Sequence, residues 1–159
     1  LGFNKFSYPV ILFLFLLYSA VMGASLSFIF LIYTSASLYG TFAAAAGMFG
    51  LMAVVGYTTK TDLTKFGSIM MMGLVGIVIA SIINWFLQSD SMSYIISFIG
   101  VLVFTGLTAY DVQKLKRIGA GVELGTATTS KLVIMGALNL YLDFINLFLF
   151  LLRLFGDRK

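Results

Sequence analysis

Two aspartates stand inside stretches that otherwise read as membrane. Asp111 lies in FTGLTAYDVQKLK, and Asp143 in LNLYLDFINLFLFLL, where every other residue except two Asn is Leu, Phe, Ile or Tyr. An ionised carboxylate at a bilayer centre costs roughly 2.5 to 3.5 kcal/mol on insertion scales, so an intramembrane acid usually faces a partner, a cavity or an ion path. The spacing gives each aspartate polar company. Asn139, Asp143, Asn146, Phe150 and Arg153 follow the i, i+4, i+7 spacing of one helical face. Thr105, Thr108 and Asp111 recur at i+3, which puts two hydroxyls on the side of the carboxylate. The two stripes are expected to face each other across one interior. The bland alternative is that these side chains only glue helices together, at about 0.6 kcal/mol per hydrogen bond.

If both carboxyls share an apolar interior, desolvation and mutual repulsion make them titrate as one coupled unit near physiological pH. Protonated, they hydrogen-bond and hold their helices together; ionised, they repel and attract a cation. A tight all-protein calcium cage takes about six to eight oxygens. Two carboxylates with a few Asn and Thr groups fall short of that, so a cation site at Asp111 and Asp143 is expected to be weak and transient, suited to passage.

The elements that must position these groups follow from composition. The chain has 159 residues, 60% of them hydrophobic and 10% charged, with a mean hydropathy of +1.05. That lies outside the range of soluble domains and predicts an all-α polytopic bundle. Apolar runs of about 20 residues, the length that spans a bilayer, occur at about 8 to 33, 40 to 57, 67 to 87, 94 to 115 and 132 to 155. The whole chain, residues 1 to 159, reads as a single transmembrane domain. With no His and no Cys, imidazole and thiolate ligands, a haem axial His, a Cys nucleophile and disulfides are excluded, and no tightly bound cofactor is expected.

The net charge of +4 does not point to nucleic acid, because the cations sit in short loops, where they set topology. Lys60 and Lys65 separate the second and third runs; Lys114, Lys116, Arg117 and Lys131 separate the fourth and fifth. Those loops should be cytoplasmic. The opposite loops, TSAS near Ser35 and the one near Asp90, carry neither Lys nor Arg. Arg153, Arg158 and Lys159 disagree with five full crossings: either the charge rule yields there, or the last segment does not cross fully. Ser19, Gly23 and Ser27 form a small-xxx-small row suited to close helix packing, and Trp85 with Tyr94 marks an aromatic belt. Gly119, Gly121 and Gly125 are expected to make a flexible connector. Leu1 is not an initiator Met, so a processed chain or a fragment is expected.

Taken together, these residues resemble the Bax inhibitor-1, or transmembrane Bax inhibitor motif, family, in particular its bacterial YbhL-like branch. GLTAYDVQKLK and GALNLYLDFINLFLFLLRLFG are similar to the family's two most characteristic segments, and GYTTKTDLTKFG to the bacterial cytoplasmic loop. The resemblance implies a seven-helix fold with the last helix central, of which this chain holds about five helices and lacks the first two. It also implies that Asp111 and Asp143 correspond to the di-aspartyl pH sensor of a calcium-leak pathway, with calcium as the permeant ion, in a bacterial inner membrane.

Three functions follow as expectations. The first is a pH-sensitive calcium leak, with Asp143 lining the path and Asp111 pairing with it on the cytoplasmic side. The second is a non-transporting regulatory membrane protein, since bacterial relatives are linked to the membrane-anchored FtsH protease as substrate or modulator. The third is an intramembrane aspartyl protease, in which two aspartates share a proton and activate a water. Tyr110 and Asp111 reproduce the Tyr-Asp pair of presenilin-like proteases, but Leu140, Tyr141 and Leu142 stand where a Gly-x-Gly should precede Asp143. No enzymatic activity is therefore expected.

Overall fold

Where no water reaches the backbone, a chain closes its hydrogen bonds within helices, and these apolar runs do so. A computed structural model describes residues 7–121 and 127–158, the side chains of 127–130 excepted. It contains α1 (Tyr8–Leu26), α2 (Ile29–Ile32), α3 (Ser35–Thr58), α4 (Thr64–Leu87), α5 (Asp90–Gly121) and α6 (Ala127–Phe155). Five segments are long and apolar enough to cross a membrane, with α1 and α2 together forming Tyr8–Ile32. The all-α, five-span expectation is met.

Boundaries move where local hydrogen bonds outrank hydropathy. The first run is interrupted at Ser27 and Phe28, where the Ser27 hydroxyl donates to the Ala24 carbonyl at 2.6 Å, its N–H returns to Gly23, and the next N–H groups bond three residues back. TSAS is not a loop but a helix start. Thr34 is extended and its side chain accepts from the Ser37 N–H at 3.2 Å, so α3 begins at Ser35. At the other end of the bundle, α5 continues through Gly119 to Gly121. The expected connector therefore does not include Gly119, and Gly125 lies outside the described residues.

The most enclosed helix is α5. It packs against α3, α4 and most extensively α6, which also meets α3 and α1. Half of the apolar stretch of α5 is buried, against 17% for that of α6, so α5 is the more enclosed of the two among the described helices. Just before Asp111, close approach to α5 rests on two of the glycines at its contacts. A Cβ on Gly56 of α3 would collide with the Ala109 carbonyl, and one on Gly67 of α4 with the Tyr110 ring. Both contacts fall immediately before Asp111. By contrast, Gly23 has open space around it, so the small-residue row of α1 is not a close-packing seam among the described helices.

The chain end is pinned back on the first turn. Thr34 N–H donates to the Asp157 carbonyl at 2.9 Å, and Asp157 N–H to the Ser37 hydroxyl at 2.7 Å. Helix α6 thus runs from Gly136, against Leu115, to the Tyr33 end of the bundle. It traverses the bundle, and Arg153 and Arg158 lie opposite the end that carries Lys60, Lys65, Lys114 and Lys116. If all five segments cross fully, these arginines stand against the charge rule.

Gly56→Val should wedge α3 off α5 at an overpacking cost of about 1–3 kcal/mol. A lower thermal midpoint of the full-length protein in detergent is the expected outcome, whereas Gly23→Val should leave the midpoint unchanged.

Candidate functional site: an intramembrane carboxyl pair

Asp143 lies midway along α6, only 5% exposed, while Asp111 is half-buried on α5. The two helices share the largest contact of the bundle, and across it the side chains of Asp111 and Asp143 come within hydrogen-bonding reach. Two carboxylates can only accept, so their contact is a hydrogen bond when one of them carries a proton. Asp143 Oδ2 is buried and has no hydrogen-bond partner among the described residues. A buried polar atom left in that state costs about 1–3 kcal/mol. The ring of the next residue, Phe144, meets Phe42 and Phe49 edge-on, with centroids at 5.6 and 5.4 Å.

The supporting polar residues divide. Asn139 joins Asp111 and Lys114 in lining a cavity of about 290 Å³, walled by Leu115, Leu132 and Gly136 at the cation-rich end. The hydroxyls of Thr105 and Thr108 donate to Val101 and Phe104 carbonyls at 2.6 and 2.8 Å, and the Asn146 amide donates to Leu142 at 2.8 Å. These three donors satisfy their own helices, the usual outcome for an isolated hydroxyl or amide in an apolar helix. Arg153 is exposed at the far end, its guanidinium 5.7 Å from the Phe150 ring centre. Among the described residues, no three His, Cys, Asp or Glu side chains gather in a group able to hold a metal ion.

Sequence reasoning missed the clamp that fixes the height of Asp111. Gln113, 5% exposed, accepts from the Leu63 N–H at 2.8 Å and donates to the Thr61 carbonyl at 2.7 Å. Around it, Lys116 donates to the Tyr57 carbonyl at 2.6 Å and Arg117 pairs with Asp62 at 3.0 Å. The α3–α4 loop is thereby tied to α5 within two residues of Asp111. A Gln among Asp, Lys and Arg reads as solvated surface, and only the long-range partners reveal its role.

Hydrogen bonds from Thr64, then from Arg117, hold the exposed Asp62 carboxyl at about 2, below its ordinary 3.8. A depressed value means that this contact contributes fully above pH 3.8 and is lost as pH falls through about 2. A response of the protein near neutral pH therefore has another origin.

The model of the family described as inhibitor of apoptosis-promoting Bax1 matches residues 1–159. The chain belongs to the Bax inhibitor family. It is similar to the inner membrane protein YbhL of Escherichia coli K12, at 53% identity over 157 residues, covering 98% of this chain and 67% of YbhL. An uncharacterized protein of Borreliella burgdorferi is 51% identical, with the same coverages. An uncharacterized membrane protein of Streptococcus pyogenes serotype M6 is 45% identical over 93% of this chain and 64% of its own length. With its five candidate spans, this Bax inhibitor family chain is, like YbhL, an inner-membrane protein. The Bax inhibitor family is one of membrane proteins and not a known enzyme class.

Gln113→Leu should leave the half-buried Leu63 N–H without its partner, at about 1–3 kcal/mol, and release the carbonyl of the exposed Thr61 to water. The expected result is a clearly lowered thermal midpoint of the full-length protein. Asp62→Asn, at an exposed pair, should shift it far less.

Proposed function

We propose that the protein is a pH-sensitive cation leak of the inner membrane, with calcium as the permeant ion and the carboxyls of Asp111 and Asp143 as its gate. The observation that carries this reading is their contact across the α5–α6 interface, with a cavity at the cation-rich end reaching Asp111 and Asn139. With a shared proton the carboxyls join the two helices. Without it they repel, and the buried Oδ2 of Asp143 becomes half of a small anionic site. Two carboxylates and the Asn139 amide oxygen are too few for a storage site. A weakly held ion is one that can leave.

Protons and calcium compete for the same oxygens in this scheme. By linkage, each must weaken the binding of the other by the same factor. The family membership and the apolar helices support a membrane role, while calcium and pH gating are the proposal's own content.

The test is calcium flux through the full-length protein in liposomes across neutral pH. The expected result is a pH-dependent flux whose profile moves toward acid as calcium rises. Asp111→Asn and Asp143→Asn should each flatten that profile. Unchanged flux and pH dependence in both variants would exclude the gate. Absent flux in the parent, with co-purification of a membrane-anchored protease of the FtsH type, would favour the regulatory role instead.

A further inference from the structure

The end of the bundle remote from the carboxyl pair holds a second polar feature. A cleft of about 700 Å³ opens between α4, α5 and the end of α6, lined by Ser81, Asn84, Asp90, Ser93, Arg153 and Arg158. Its rim carries Trp85, which is 76% exposed, and Tyr94, which is 59% exposed. Exposed aromatic residues of these two types are characteristic of the headgroup level of a bilayer. The cleft therefore sits at the depth of lipid headgroups and not of acyl chains.

The charges in it are uncommitted. Among the described residues, Arg153 and Arg158 form no ion pair; the guanidinium of Arg153 lies 5.7 Å from the Phe150 ring centre and that of Arg158 5.9 Å from that of Tyr33. Asp90 is likewise unpaired there. These arginines also stand at the end where the orientation rule disfavours Lys and Arg, so an unneutralised pair of them is unexpected. Guanidinium groups are preorganised forks for phosphate oxygens, and neighbouring serines and an amide supply further hydrogen bonds.

We propose that this cleft binds the headgroup of an outer-leaflet phospholipid, with Arg153 and Arg158 taking the phosphodiester and Asp90 an ammonium. Two cations and one anion lining the same cleft match a zwitterionic phosphoethanolamine headgroup better than a purely anionic one. Each guanidinium lies within cation–π distance of an aromatic ring, a contact that still leaves its N–H groups free to donate. The site is independent of the carboxyl pair at the other end, and flux variants at Asp111 or Asp143 should leave it intact.

The experiment is native mass spectrometry of the full-length protein from detergent, after exchange into phosphatidylethanolamine, phosphatidylglycerol or neither. A stoichiometric retained phosphatidylethanolamine, at least about tenfold preferred over phosphatidylglycerol, is expected, equivalent to about 1.4 kcal/mol. Arg153→Gln with Arg158→Gln should abolish retention, and Arg153→Lys with Arg158→Lys should keep part of it. Asp90→Asn should remove the preference while sparing binding. Thermal midpoints of all variants establish that they are folded. Displacement by glycerophosphoethanolamine but not by inorganic phosphate assigns the site to the headgroup; displacement by phosphate alone would reassign it to a free anion and overturn the lipid reading. Equal retention by the double Gln variant would overturn the site itself.

Discussion

A carboxyl group inside a bilayer has no water to turn to, and most of this architecture can be read as the provision made for Asp143. Desolvation alone would make an ionised group there prohibitively costly. The partner comes from the neighbouring helix, where Asp111 meets it across the most extensive helix contact of the bundle. That contact needs α5 at one depth and one rotation. Glycines at 56 and 67 let α3 and α4 close on the turn just before Asp111, and the Gln113 clamp ties the turn after it to the α3–α4 loop. The pair is thus bracketed by steric contacts on one side and backbone hydrogen bonds on the other.

The two ends of the bundle carry different chemistry. At the Lys-rich end, two of the cations are engaged: Arg117 with Asp62, and Lys116 with a backbone carbonyl and the Tyr57 ring. These contacts order the loop, and the Asp62 pair stays ionised far below neutral pH. At the opposite end, Arg153 and Arg158 rest on aromatic rings beside an open polar cleft.

Much of this is legible in the residues alone. Five spans, their order and the two aspartates follow from hydropathy, because the cost of an unsatisfied backbone in lipid leaves little choice but helices. Boundaries are less legible. TSAS looks like a loop by composition, yet a threonine cap makes it the first turn of α3, and a glycine-bearing stretch after Arg117 continues as helix. The Thr105, Thr108 and Asn146 stripes are visible as spacing, but spacing cannot say whether a hydroxyl donates across an interface or to its own helix. The Gln113 clamp is invisible in sequence, since its partners are some fifty positions away. Arg153 shares a helical face with Asp143, but ten residues of helix separate them by about 15 Å, and it serves the other end.

The central claim is that Asp111 and Asp143 share one proton. Infrared spectroscopy of the full-length protein in lipid reads this directly, through the carbonyl stretch of a protonated carboxyl and its shift in heavy water. At neutral pH one such band is predicted, disappearing as pH rises and altered by Asp111→Asn as well as by Asp143→Asn. A protein in which both carboxyls are ionised throughout the neutral range, or in which the band is indifferent to substitution of Asp111, would contradict the shared proton.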